Sequence, residues 1–300
     1  MRMNQLTMGT DLEGFLRNRK TGIIESAIPL ISEGKENPRD LGGGYKILHD
    51  NVLIEFNVPP SKTKKEFILN LREGLRRVSN IIGEQYDFVA QASHKFNKKF
   101  LRHQDATVFG CSKEYDAWEL KVVTPPDCTT NLRSCGGHLH LGRADFENPS
   151  DEILMNPYSK VRVIKLMDIF VGIPFTILEN NDVTNKERKK LYGRSSFHRP
   201  TEFGCEYRVL TNYWMRSPKL TDLALDLMML AVQAEIQNKA EKIIQSVSSE
   251  DIISIINTAS KDRAKELLKQ LPIPNDLKRR VLSFEKQKFS ALLEKEWQLK

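Results

Sequence analysis

The stretch CGGHLHLG, Cys135 to Gly142, puts two histidines one residue apart behind a pair of glycines. Alternate side chains of a strand point to opposite faces, so Leu139 and Leu141 share one face and His138 and His140 the other. The leucine face asks for a core, and the imidazole face for something to hold. The glycines let another group approach the backbone closely. The same rule, carried outward, finds polar pairs on three more expected strands. In TDLEGF, Asp11 and Glu13 share a face. In NVLIEFNV, Val52, Ile54, Phe56 and Val58 line one face, while Asn51, Glu55 and Asn57 share the other with Leu53. In GCEYRVL, Cys205, Tyr207 and Val209 oppose Glu206 and Arg208.

Any one of these pairs, taken singly, reads best as the wet face of an antiparallel sheet. Solvated faces carry Thr, Lys, Gln or Ser, however, and these four carry carboxylate, carboxamide and imidazole with no lysine. Carboxylates crowded on one sheet face repel each other unless cations neutralise them. Oxygen ligands suit Mg²⁺ or Mn²⁺, and imidazole joins them with Mn²⁺. A metal site then stands level with the solvated reading or above it.

The chain has 300 residues, enough for one large domain or two small ones. Lys and Arg number 46 against 39 Asp and Glu, a net charge of +7 that favours anionic partners such as nucleotide phosphates or nucleic acid. The four cysteines, Cys111, Cys128, Cys135 and Cys205, have no C-x-x-C spacing, and a reduced, cytoplasmic protein is the simplest expectation. No apolar leader opens the sequence, and LALDLMMLAV is too short to span a bilayer.

Strand patterns, LTMGTDLEGFL and NVLIEFNV, bracket the turn-rich ENPRDLGGGYK. Apolar spacing predicts a helix over residues 62–82. Strand-and-turn character returns over 105–142. A mostly buried helix is expected over 158–172, ended by Pro174, and a strand over 203–211. After Pro218 nearly everything is amphipathic helix, broken near Ser248 and Ser249 and at Pro272 and Pro274. The expected division is an α+β core over 1–215 and a helical part, 216–300, packed on it.

What would such a site do? A hydrolytic zinc centre is open to His138, His140 and a carboxylate, but no H-E-x-x-H occurs. Carboxylates beside Arg194, Arg199 and Arg208 suggest phosphoryl transfer instead. No P-loop motif is present, and the triple glycine at 42–44 reads as a plain turn. A separate stretch, SHKFNKKFLRH, interleaves Lys95, Lys98, Lys99 and Arg102 with Phe96 and Phe100. It reads as a solvated segment with two anchoring aromatics before it reads as a nucleic-acid stacking patch.

Seven segments in order, GTDLEGFL, GKENP, DNVLIEFNVPP, FGCSKEYDAW, CGGHLHLG, ERKKLYGRSSFHRP and GCEYRVL, carry a resemblance over roughly residues 9 to 210. They resemble the phage-associated carboxylate–amine ligases, a branch of the glutamine synthetase and glutamate–cysteine ligase superfamily. The resemblance implies a curved antiparallel sheet forming part of an active-site funnel, with helices packed outside. It implies ATP bound through Mg²⁺ or Mn²⁺, phosphorylation of a substrate carboxylate, and displacement of phosphate by an amine. Carried over, Glu13, Glu55 and Glu206 would be metal ligands, with His138 as ligand or phosphate contact and Asp11 beside them. Arg199 and Arg208, with Glu55, would serve the acyl-phosphate step. Asn51, Asn57 and His140 are implied as orienting or nucleotide-binding groups, and Lys35 and Arg194 as groups reaching toward ATP phosphates. The implied partners are small-molecule or peptide substrates bearing a carboxylate and an amine, with no membrane, nucleic acid disfavoured and a homo-oligomer left open. A metal-dependent hydrolase and a basic nucleic-acid-binding protein remain the alternatives.

Overall fold

The computed structural model of the chain describes residues 6–107, 113–123, 130–143, 152–190 and 192–299. Cys111, Cys128 and part of FGCSKEYDAW lie outside them. The strands in chain order begin with β1 (Leu6–Gly9), β2 (Asp11–Asn18), β3 (Ile24–Glu25), β4 (Arg39–Gly42), β5 (Tyr45–Asp50) and β6 (Leu53–Asn57). There follow β7 (Tyr86–Val89), β8 (Ser93–Lys95), β9 (Glu114–Asp116) and β10 (Lys121–Val123). Last come β11 (Leu132–Ser134), β12 (Leu139–Arg143), β13 (Phe197–Pro200) and β14 (Gly204–Tyr207). One sheet has the order β1-β12-β14-β13-β9-β10, and another β3-β2-β6-β5-β4 with β7 on β2; β8 and β11 form a separate pair. Every pairing described is antiparallel, as the α+β expectation requires.

The chain passes from the first sheet to the second at Thr10, between β1 and β2. The Thr10 hydroxyl donates to His138 O at 2.6 Å, and Leu12 bridges Gly137. The glycine pair is therefore the seam of the fold. Gly137 O accepts from Trp214 Nε1 at 3.0 Å, and a Cβ on Gly137 would stand 2.6 Å from Thr211 O and 2.7 Å from that indole nitrogen.

Helix Lys64–Ile82 buries Phe67, Leu71, Leu75, Val78 and Ile82 on one face. It starts two residues later than expected because Thr63 caps it, accepting from Glu66 N, and Gly83, at a positive φ of 66°, ends it. The long central helix departs from expectation. Residues 157–167 are α-helical, 168–172 form a π turn, and 173–179 resume the α-helix. Pro174 is thus no terminator: the wider turn before it absorbs the hydrogen bond that proline cannot make. Helices Pro218–Ile236, Ala240–Gln245, Ser249–Thr258, Lys261–Gln270, Asn275–Glu285 and Glu294–Trp297 complete the chain. They share one apolar core with the sheets, from Leu6 and Leu12 through Leu225 to Trp297.

Four strand readings need correction: LTMGTDLEGFL is two strands of different sheets, β1 and β2, parted at Thr10, and the strand expected over 203–211 is β14 alone, which ends at Tyr207 and leaves Arg208 beyond it. ENPRDLGGGYK is not wholly loop: β4 and β5 are a hairpin turning through Gly42, Gly43 and Gly44, whose φ values of 79°, 65° and 84° suit glycine alone. Asn51 is not on a strand face but in the turn between β5 and β6, at φ 58°. Its side-chain amide donates to Ala106 O at 2.7 Å, and its oxygen accepts from Arg133 Nε at 2.7 Å. That bonding holds the left-handed conformation.

Gly137→Ala will lower stability by about 1–3 kcal/mol through overpacking at the seam. Urea unfolding of the variant against the parent checks it; an unchanged midpoint contradicts the close packing described.

Candidate active site

Strand β2 supplies two carboxylates on one face, and each founds a cluster. Asp11 Oδ1 lies 2.8 Å from His138 Nδ1 and 3.1 Å from His140 Nε2. Register brings Glu206 of β14 opposite His140 of β12. Asp11, His138, His140 and Glu206 thus offer ligand atoms that all lie within 4.8 Å of one another. Burial by itself would raise the Asp11 carboxyl, but the two imidazoles hold it well below the usual carboxylate range. Burial pulls His140 the other way, and Asp11 outweighs it, so its imidazole is more basic than usual.

Glu13 pairs across the sheet with Glu55 of β6, and the β5–β6 hairpin carries Asp50 to the same place. These carboxylates form a second group, again within 4.8 Å of one another. Burial pushes Glu55 well above its ordinary value, and the charges of Asp11, Asp50 and Glu13 push it further. Glu13 is raised chiefly by burial, against the pull of His138 and a 2.6 Å hydrogen bond from Gly136 N. A Cβ on Gly136 would fall 2.4 Å from His138 Nε2, so the glycine is what admits the imidazole. Lys35 Nζ stands 2.7 Å from Asp50 Oδ2, and Asp50 and Glu55 raise its pKa against the pull of burial.

Arg208 joins the first cluster from β14's exit. It donates Nε to Glu114 Oε1 at 2.8 Å and NH1 to Glu206 Oε2 at 3.0 Å. The same NH1 is 3.0 Å from His138 Nδ1, a nitrogen that can accept from Arg208 or donate to Asp11 but not both. Arg199 NH1 reaches Glu206 Oε2 at 3.3 Å from the neighbouring strand. Three carboxylates in one group, and two carboxylates with two imidazoles in the other, are donor sets that fit hard divalent cations.

Beside His140 opens a cleft of about 500 Å³, whose lining includes Thr7, Asn57, Lys62, Arg143 and Phe203. Asn57, opposite Asp11 in register, links cleft and cluster. Arg194 stands apart: it is exposed in the turn before β13, and among the described residues no hydrogen bond joins its side chain to either cluster. Sequence reasoning missed Asp50, Glu114 and Arg143. Asp50 ends β5, whose first two residues fall in the expected loop and whose other four lie between that loop and the next expected strand; the signal is the alternation of Tyr45, Ile47 and His49 before it. Glu114 sits in a three-residue strand too short to show a pattern.

The basic stretch 93–103 uses its rings as anchors. Phe96 is buried in a small core with Phe15, and Phe100 packs against that core under Lys99. Lys95, Lys98, Lys99 and Arg102 are exposed. Cys135 and Cys205 are free and buried, and burial raises the Cys205 thiol to about 12, so both are inert. Among the described residues no helix is long and apolar enough to cross a membrane.

No curated protein matches this chain. Among solved structures, the chain is similar to a bifunctional glutathione synthetase from Pasteurella multocida at 11% identity and a TM-score of 0.43, covering 99% of this chain and 51% of that one. It is also similar to a novel glutamine synthase homolog at 12% identity and a TM-score of 0.39, covering 99% of this chain and 71% of that one. The chain thus spans about half the length of the glutathione synthetase. Residues 129–288, which carry His138, His140, Arg199, Glu206 and Arg208, match a protein family in their own right, and by that match the chain belongs to the phage phiEco32-like COOH.NH2 ligases of type 2.

Proposed function

We propose that the protein is an ATP- and divalent-metal-dependent ligase that joins a carboxylate to an amine through an acyl-phosphate. One observation carries the reading: Asp11, Glu13, Asp50, Glu55, Glu114 and Glu206 are drawn together, and while His138 and His140 stand against Asp11, Lys35 against Asp50, and Arg199 and Arg208 against Glu206 and Glu114, among the described residues no ion pair falls on Glu13 or Glu55. Such an excess of buried negative charge asks for divalent cations. Asp11, His138, His140 and Glu206 would hold one ion, and Glu13, Asp50 and Glu55 another. Bound there, Mg²⁺ or Mn²⁺ supplies the positive charge that draws nucleotide phosphates in and offsets charge on the transferring phosphoryl group.

The chain's own groups do the rest. His140 and Asn57 line the cleft, with Lys62 and Arg143 as its cations, and this is where the reading seats ATP. Arg208, fixed by Glu114 and Glu206, and Arg199 give preorganised charge beside the phosphoryl group. The substrate carboxylate oxygen attacks the γ-phosphorus and ADP leaves. The amine nitrogen then attacks the acyl carbon, phosphate departs with the acyl–oxygen electron pair, and the amine gives up a proton. The substrates are small molecules or peptides bearing these two groups.

Calorimetric titration with ATP will show binding that requires Mg²⁺ and that Glu55→Gln abolishes. Binding without metal dependence, or no binding at all, sinks the reading and leaves a hydrolytic site. With an acid and an amine supplied, Arg208→Ala will slow ADP formation by about 100-fold or more, the scale of losing one fixed electrostatic donor. A hydrolase using the same cluster turns over without nucleotide, so activity in ATP-free buffer decides against ligation.

A further inference from the structure

The face of β14 opposite Glu206 and Arg208 is not simply apolar. Tyr207, between them, is completely buried, and its hydroxyl donates to Asp168 Oδ1 at 2.7 Å. Asp168 is itself completely buried, on the π turn of the central helix. Its other oxygen accepts from Ser195 Oγ at 2.5 Å and from Trp118 Nε1 at 2.8 Å. The three donors come from three separate segments. Each lies a few residues from a group of the first cluster: Tyr207 beside Glu206 and Arg208, Ser195 before Arg199, Trp118 after Glu114.

A second buried acid marks the far end of the same helical run. Glu179 Oε1 accepts from Thr211 N at 2.7 Å and from Thr211 Oγ1 at 2.9 Å. The helical run thus meets the chain at two points, Tyr207 at the end of β14 and Thr211 beyond it. Gly172 leaves room for one of them, since a Cβ there would be 2.7 Å from the Tyr207 hydroxyl.

We infer that Asp168 is a positioning residue. Through Tyr207, Ser195 and Trp118 it sets where Glu206, Arg208, Arg199 and Glu114 stand, and it has no hold on Glu13, Asp50 or Glu55. A hydrophobic contact in its place would keep the layers together but leave the strands free to slide. Three directional hydrogen bonds to one buried carboxylate fix their relative register.

The test uses Asp168→Asn and the milder Tyr207→Phe, which removes one hydroxyl and keeps the ring. In metal-free protein, hydrogen exchange of peptides spanning 113–118, 195–200 and 204–208 will quicken about tenfold or more in either variant, the loss of one buried hydrogen bond. Peptides over 45–57 will exchange as in the parent. A uniform rise along the chain, or none anywhere, overturns the inference.

A second arm rests on the proposed cation sites and uses Mn²⁺ alone, followed by paramagnetic resonance. Tyr207→Phe will weaken, by about tenfold, the ion that Glu206→Gln abolishes, and spare the ion that Glu55→Gln abolishes. Equal weakening of both contradicts a selective clamp. Should the parent bind no Mn²⁺, the cation reading falls, and the exchange measurement alone still decides for or against the clamp.

Discussion

The close approach of β2 to Gly136 and Gly137 is the constraint on which the molecule turns. The backbones come close there because neither glycine has a side chain. Thr10 bonds His138 O, Leu12 bridges Gly137, and Gly136 N donates into the Glu13 carboxylate. Because Asp11 and Glu13 alternate with Leu12, the strand that closes the seam also delivers both acids to one side of it and buries Leu12 on the other. Asp11 then faces the histidines of the first sheet, and Glu13 faces Glu55 of the second. One short crossing of the backbone thus founds both clusters. A side chain at Gly136 would strike the His138 imidazole, and one at Gly137 would strike Thr211 O and the Trp214 indole.

Gathering these acids costs stability, since burial and mutual repulsion both act against ionised Glu55. The fold meets the cost locally. Imidazoles stand against Asp11, Lys35 against Asp50, and Arg208 against Glu114 and Glu206. Among the described residues no ion pair falls on Glu13 or Glu55, and carboxylates left without one are what the proposed cation site needs. A hydrophobic replacement would relieve the strain and remove the site with it. The partners are also graded in freedom. Arg208 is tied to two carboxylates, whereas Lys35 has a flexible stem that is about half exposed and, among the described residues, one ion-pair partner at 2.7 Å.

How much of this was legible in the sequence follows the physics of each segment. The period-two rule read Asp11 with Glu13, His138 with His140, and Glu206 with Arg208, because strand alternation is local and survives without tertiary context. It fails at Asn51, where a left-handed turn breaks the alternation, and it passes over Asp50, in the short stretch between the glycine-rich run and the next strand pattern. The long helix was placed, but its end was not. Proline's local rule was overridden by a π turn that only tertiary packing makes worthwhile. Glu114 and Arg143 were invisible, since they reach the site and the cleft from a three-residue strand and a strand end, and no spacing announces that.

Tyr207 shows why the hidden half matters. A strand with Glu206 and Arg208 on one face would be expected to carry aliphatic residues on the other, and Cys205 and Val209 conform. An aliphatic residue at 207 would fill the same volume without desolvating a hydroxyl and a carboxylate together. Burying Asp168 is unfavourable, as its raised pKa records, burial being the main cause. That expense yields no contact with any reacting group, so its return must lie in geometry. Arg208 touches Glu114, Glu206 and His138 within 3.0 Å, a set of distances that shifts of about an ångström would break. The polar bonds behind the strand are what turn a plausible collection of residues into a fixed one.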